Sequence, residues 1–306
     1  MKSMMNNRIS LLLAAAVAAV IATIALGLGQ GESDSAPASS ARLLHTEPSD
    51  HAPVVVFEQY GERCMNFNEM EGEGRQTCFQ LDDPDRMVFE YTRMMTSALF
   101  VQPDPSSVLI IGLGGATLPI ALHKLLPGAL IDSVELDPAV VRVAQQYFGY
   151  ETGPRQRVFV EDGREFVERA HREGRQYDMI MLDAFDVDYI PAHLLTVEFL
   201  QLVREVLASG GLVVANSFAQ SRMYERESAT YAAVFGDFFN LRAGLDGNRV
   251  IIASKGDLPD AAVLERNAVM LAERLRPFGI DAEAAVSRFS IMKGGPDGAD
   301  VLRDKP

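Results

Sequence analysis

Val108-Leu109-Ile110-Ile111-Gly112 is a run of strand length with no polar alternation, and further strand-length runs recur at 130–135, 157–161, 177–183 and 211–216. A strand that is apolar throughout is covered on both faces, whereas a half-solvated strand alternates. Stretches with helical periodicity at 116–126, 138–148, 164–173 and 192–207 separate these runs. Parallel strands need such crossovers, and right-handed crossovers put helices on both sides of one sheet. A helix at 85–100 precedes the first strand, and helices at 221–236 and 259–275 follow the last. Between those two helices, 238–242 and 249–254 read as an antiparallel strand pair. The pattern predicts a doubly wound α/β sheet with a terminal antiparallel strand pair.

The residues before this repeat divide into three regions. Residues 9–28 carry only Ser10 and Thr23 as polar members, and Lys2 and Arg8 precede them. As a helix they extend about 30 Å, the thickness of a bilayer's hydrocarbon. An N-terminal hydrophobic helix over 1–30 is therefore expected, either an uncleaved anchor or a signal segment. Its length favours a membrane anchor, and cleavage would instead leave a secreted or periplasmic domain. The next basic residue is Arg42, so the positive-inside bias places the domain outside the cytoplasm. Residues 31–53, rich in Ser, Ala, Asp and Pro, read as a linker. Residues 54–83 read as a small β-rich region with a hairpin, in which Cys64 and Cys78 sit symmetrically about residue 71 and so can face each other. The pair reads either as a disulfide or as two buried thiols. The α/β domain then runs over 84–290, with a tail at 291–306.

Charge narrows the function. The 28 Lys and Arg stand against 42 Asp and Glu, leaving a net charge of −14. Nucleic-acid binding needs a basic face, so that class is excluded. His123, His171 and His193 have no ligand-like spacing with a second His or Cys, and no metal site is assigned. The informative positions lie at strand ends, where open α/β sheets bind ligands. Gly112, Gly114 and Gly115 form a turn after the first strand. Leu118 occupies the place of the last glycine in a dinucleotide fingerprint, which disfavours a pyrophosphate site. Glu135 ends the second strand, Asp162-Gly163 the third and Asp183 the fourth, while Asp137-Pro138 reads as a helix cap. Carboxylates gathered above a glycine turn suit a ribose, an adenine amine and a sulfonium, not phosphates.

These residues resemble the spermidine synthase (polyamine aminopropyltransferase) family of the methyltransferase-like (Rossmann-like) superfamily. The motifs are Val134-Glu135-Leu136-Asp137-Pro138, Glu161-Asp162-Gly163-Arg164 and Tyr177-Asp178-Met179-Ile180-Met181-Leu182-Asp183-Ala184-Phe185-Asp186. Gln76, Tyr91 and Met94 are similar to the family's entrance region. The resemblance implies aminopropyl transfer from decarboxylated S-adenosylmethionine to a diamine such as putrescine, with no permanently bound cofactor. It implies Asp183 as the group that takes a proton from the attacking amine. Tyr91 and Asp186, with Gln76 at the entrance, would hold the amine chain. Glu135 would take the ribose, Asp162 and Gly163 the adenine. It also implies a homodimer. Gly115 stands where the family's turn carries an Asp that grips the aminopropyl amine. Two alternatives follow: a methyltransferase using intact S-adenosylmethionine, and a non-catalytic extracytoplasmic nucleoside- or polyamine-binding module.

Overall fold

The computed structural model of the protein describes residues 41–70, 75–185, 190–242 and 247–305. The hydrophobic segment at 9–28 and Asp186 lie outside them. Among the described residues no helix is long and apolar enough to cross a membrane.

The strands, in chain order, are β1 Arg42–Glu47, β2 Val54–Gln59, β3 Glu62–Phe67, β4 Thr77–Gln80, β5 Ser107–Ile111, β6 Leu130–Glu135, β7 Gln156–Val160, β8 Tyr177–Leu182, β9 Leu207–Phe218, β10 Phe238–Arg242, β11 Asn248–Ser254 and β12 Ile291–Met292. The helices are α1 Glu90–Thr96, α2 Thr117–Leu125, α3 Pro138–Tyr147, α4 Gly163–Arg172, α5 Val197–Val206, α6 Tyr224–Phe235, α7 Ala261–Leu275 and α8 Ala282–Val286.

Among the described residues, eight strands make the large sheet, in the order β12-β10-β11-β9-β8-β5-β6-β7. β5 pairs in parallel with both β6 and β8, and the terminal β10–β11 pair is antiparallel. The chain runs β5-β6-β7 toward one edge and then returns to β8 on the other side of β5. The topological switch point, where ligands bind in open α/β sheets, therefore lies at the carboxyl ends of β5 and β8. Successive residues of β5 face opposite layers: Val108 and Ile110 pack with α2 and α7, Leu109 and Ile111 with α4 and α5. Both faces are thus covered, as the unbroken apolar run of β5 requires.

A second sheet, β1-β2-β3-β4, is antiparallel. Tyr60 and Gly61, both at positive φ (53° and 78°), form the two-residue turn between β2 and β3. One face of the sheet (Val54, Val56, Met65) packs on α3 and on Leu113 and Ala116 of the glycine turn. The other face holds Val55, Phe57 and the Cys64–Cys78 disulfide, which joins directly paired residues of β3 and β4.

Several boundaries differ from the sequence reading. Residues 291–292, expected to open a tail, form β12 and add an antiparallel edge to the large sheet beside β10. β9 begins at Leu207 rather than at 211. Residues 42–47, expected to be linker, form β1 and pair with β2. The segment is half-polar because it is an edge strand, with Leu44 packed toward the core and Leu43 exposed. The helix expected at 85–100 is α1 followed by a 3₁₀ turn, Ser97–Phe100. Met87 N–H instead bonds the carbonyl of Phe278 (3.1 Å), which holds 85–89 out of the helix. The helix expected at 192–207 is split into a 3₁₀ turn, Ala192–Leu194, and α5, because the Thr196 hydroxyl caps Phe199 N (3.2 Å) and starts a new helix there.

Candidate active site

A cavity of about 540 Å³ opens at the switch point. It brings together Gln76, Tyr91, Gly112, Gly114, Gly115, Glu135, Asp162, Gly163 and Asp183, which are all the site residues expected from the sequence except Asp186.

The glycine turn forms the floor. Gly112 has φ of +97°, and a Cβ there would lie 2.3 Å from the backbone oxygen of Asp183. The close approach follows from the pairing of β5 with β8: Asp183 N–H bonds Ile111 O at 2.8 Å, and Gly112 N–H bonds Val134 O at 2.8 Å. Glu135, at the end of β6, spans the turn from the side. Its Oε2 accepts from Leu113 N–H (3.0 Å) and its Oε1 from Asp137 N–H (3.0 Å). Burial pushes the Glu135 carboxyl above the usual range, and the backbone bonds oppose that shift. Gly114 N–H also bonds this carboxylate, and with about four acceptor sites the carboxylate keeps room for a ligand hydroxyl. Asp137 is the helix cap expected of it: Oδ1 accepts from Ala139 N–H (2.7 Å), and Ser49 donates to Oδ2 (2.6 Å).

Asp162 caps α4 through bonds from Arg164 N–H (2.9 Å) and Glu165 N–H (3.1 Å) to Oδ1. Its Oδ2 lies 2.8 Å from His193 Nε2. His193 and the 3₁₀ turn carrying it, Ala192–Leu194, line the cavity on this side. His193 has no neighbour of metal-like spacing, and the sequence assigns it no metal role. Its partner is 31 residues away, on another element, and nothing local marks it.

Asp183 sits at the centre of a polar chain. Asn216 Nδ2 donates to Asp183 Oδ1 (2.8 Å), and Asn248 Nδ2 donates to Asn216 Oδ1 (3.0 Å). Tyr91, from α1, also hydrogen-bonds the Asp183 carboxylate. Burial pushes the Asp183 carboxyl up to about 7, against the opposing pull of Asn216 and Tyr91. The Tyr91 phenol is itself raised, first by burial and then by the Asp183 charge. A carboxylate that exchanges a proton near neutrality, beside an open cavity, has the properties of a general base. Asn216 is not among the expected site residues; it lies within β9 next to Ala215, which pairs with Leu182 of β8, and so sits at the level of Asp183.

β4 closes the remaining wall. Thr77 stacks over Gly115, where a Cβ would meet Thr77 Cγ2 at 2.3 Å, and its hydroxyl lies 3.1 Å from Thr117 Oγ1. A side chain at position 115 is therefore excluded by Thr77, so the glycine there is matched to its neighbour. Gln76 is fixed by its N–H to Met65 O (3.1 Å) and lines the cavity. Among the described residues the lining holds five carboxylates, Glu135, Asp137, Glu161, Asp162 and Asp183, and neither Lys nor Arg.

Comparison with known proteins agrees with this geometry. The family model for the Spermine/spermidine synthase domain matches residues 88–239. A polyamine aminopropyltransferase from Vibrio vulnificus is 40% identical over 265 residues, covering 86% of this chain and 89% of the relative. The crystal structure of a probable spermidine synthase from Corynebacterium glutamicum superposes with a TM-score of 0.66 at 21% identity, covering 86% of this chain and 96% of that one. A spermidine synthase crystallised with the transition-state analogue AdoDATO superposes with a TM-score of 0.61 at 21% identity, covering 81% and 85%. The match to the Vibrio enzyme extends through the small sheet and the doubly wound domain alike, and with the glycine turn, the strand-end carboxylates and the family motif it makes this chain a member of the spermidine synthase, or polyamine aminopropyltransferase, family.

Proposed function

We propose that the protein transfers the aminopropyl group of decarboxylated S-adenosylmethionine to a diamine such as putrescine. The observation that carries this reading is the cavity lining: five carboxylates and no Lys or Arg among the described residues. Such a lining favours a cationic donor without a carboxylate and a cationic acceptor. Intact S-adenosylmethionine would bring a carboxylate into it with no Lys or Arg among the described residues to receive it, which disfavours the methyltransferase alternative.

The chemistry asks little beyond positioning and proton removal. A sulfonium is already a good leaving group. Asp183 first takes a proton from the acceptor's ammonium group. The freed amine nitrogen attacks the carbon next to sulfur, the C–S bond breaks, and its electron pair goes to sulfur to give a neutral thioether nucleoside. The new C–N bond leaves a secondary ammonium, the form in which the product departs, and the proton held by Asp183 passes to solvent. The Asp183 carboxyl near 7 makes the ionised base available at neutral pH without making it too weak to take a proton. Asn216 and Tyr91 hold that carboxylate in place. Glu135 suits the ribose and Asp162 the adenine amine. Asp186 is proposed, from its place in the family motif, to hold the acceptor chain.

The test is incubation of the purified chain with each donor and a panel of diamines, with products read by mass. An aminopropylated diamine from the decarboxylated donor alone is expected. A methylated product from the intact donor, or no product, overturns the reading.

We also propose that residues 9–28 anchor the chain in a membrane with the domain outside the cytoplasm. The Cys64–Cys78 disulfide supports an oxidising compartment. Digestion by external protease of intact cells is expected to release the domain, and full protection overturns this placement. Pairing as a homodimer is a further proposal, checked by light scattering of the purified chain.

A further inference from the structure

We infer that residues 299–305 form a strap that positions the adenine side of the cavity, with Asp304 as the positioning residue. The inference rests on the nucleoside reading given above and adds to it a segment far from the strand-end motifs.

The strap is tied at several points. Leu302 is buried, its carbonyl accepts from Val197 N–H (2.8 Å), and its N–H donates to Thr230 Oγ1 (2.8 Å). Val197 opens α5, where N–H groups have no partner within the helix, so the strap supplies one. Arg303 pairs with Glu198 (3.0 Å), and Asp304 N–H bonds the same carboxylate (3.0 Å). α5 and α6 are thereby fastened to one short stretch of chain.

Asp304 then reaches across to α4. Its two oxygens accept from Arg164 Nη1 (2.8 Å) and Nη2 (2.5 Å), a bidentate pair. Arg164 holds the Asp304 carboxyl down to about 2. The same Nη1 also donates to the backbone carbonyl of His193 at 3.3 Å. The 3₁₀ turn carrying His193 is thus held at its backbone by Arg164 and at its ring by Asp162. Pro191, Ala192, His193 and Leu194 line the cavity. Asp304 does not touch the cavity. It fixes the guanidinium that fixes the wall.

The role separates donor binding from chemistry, because Asp183 directly follows β8 and its partners Asn216 and Tyr91 lie on β9 and α1, away from the strap. The experiment measures calorimetric affinity for 5′-methylthioadenosine, the neutral nucleoside product, in the full chain and in Asp304→Asn. Steady-state kinetics with the decarboxylated donor accompany it. Loss of one charge-assisted, bidentate anchor is expected to weaken nucleoside binding by about fivefold or more, with kcat at saturating donor within about twofold. Asp304→Glu, which keeps the carboxylate, is expected to recover most of the affinity. Arg164→Lys keeps the charge but loses the fork that spans Asp304 and the His193 carbonyl, so it is expected to repeat the Asp304→Asn effect. It also serves as the second variant if Asp304→Asn does not fold. Unchanged nucleoside affinity in both variants, whether or not melting temperature falls, overturns the strap. A wild-type chain that fails to bind the nucleoside overturns the underlying reading of the site as well, and the two failures are told apart by that control.

Discussion

At the scale of single residues, the chemistry turns on Asp183. Its carboxyl, near 7 in the folded protein, lies above its ordinary value of 3.8, so the folded state binds that proton more tightly than the unfolded chain does. Stability linked to this group is therefore highest at low pH and is lost as pH rises from about 4 through about 7. Asp183→Asn removes the buried charge while keeping the shape. It is expected to raise stability at pH 8 by on the order of 2–4 kcal/mol, with no gain below pH 4, as urea titrations at the two pH values would show. The same substitution is expected to cut kcat by about 10²–10⁴, and the wild-type kcat/KM is expected to fall on the acid side with an apparent pKa near 7. A variant of full activity would remove Asp183 from the mechanism. Gly112 makes the opposite kind of demand. A methyl there would collide with the Asp183 carbonyl at a positive φ, so Gly112→Ala is expected to destabilise by about 2 kcal/mol or more and to abolish nucleoside binding, read by melting and calorimetry. Both residues were legible, since a glycine after a strand and a carboxylate ending one carry their chemistry in the local sequence. Asn216 and His193 were not, because their meaning comes from partners 33 and 31 residues away.

At the scale of elements, the fold reuses one rule: a side chain at the carboxyl end of a parallel strand faces the crevice. The strand–helix alternation in the sequence already located that crevice, with β5, covered by helices on both faces, showing it as an apolar run, while β6 and the edge strand β7 carry polar residues. The small sheet was harder to read. β1 is an edge strand with one packed face, and its polar residues look like those of a linker. The split at Thr196 was hidden for a related reason, since a cap inside a continuous helical periodicity leaves the pattern intact. β4 links the two parts of the molecule: it carries Thr77, with Gln76 just before it, to the cavity and is tied to β3 by Cys64–Cys78. The bridge closes a short loop, worth roughly 3 kcal/mol in the chain-entropy model. Cys64→Ser with Cys78→Ser, or reduction of the native chain, is expected to lower the melting temperature. It is also expected to raise the diamine KM severalfold while leaving nucleoside affinity nearly unchanged, because Glu135 and Asp162 belong to the large sheet. Equal losses for both ligands would show that β4 is not a separate wall of the site.

At the scale of the whole molecule, charge connects the surface to the cavity. The chain carries a net charge of −14, and the lining adds its carboxylates without any Lys or Arg among the described residues. A diamine acceptor is a dication at neutral pH, and the donor is a cation through its sulfonium and amine. A field of one sign over a cleft with low-dielectric walls raises the encounter rate of an oppositely charged ligand by about 10–10³, and salt removes much of that gain as the Debye length shrinks. The kcat/KM for the diamine is therefore expected to fall by about tenfold as salt is raised from about 0.01 M to about 1 M, over which the Debye length drops from about 30 Å to about 3 Å. Binding of 5′-methylthioadenosine, which is neutral, is expected to change little over the same range. That contrast separates long-range attraction from general damage by salt, which would weaken both ligands alike. If the diamine's kcat/KM is flat across the series while the nucleoside still binds, the acidic balance of the chain has no part in capturing substrate, and acceptor selection rests on contacts inside the cavity alone.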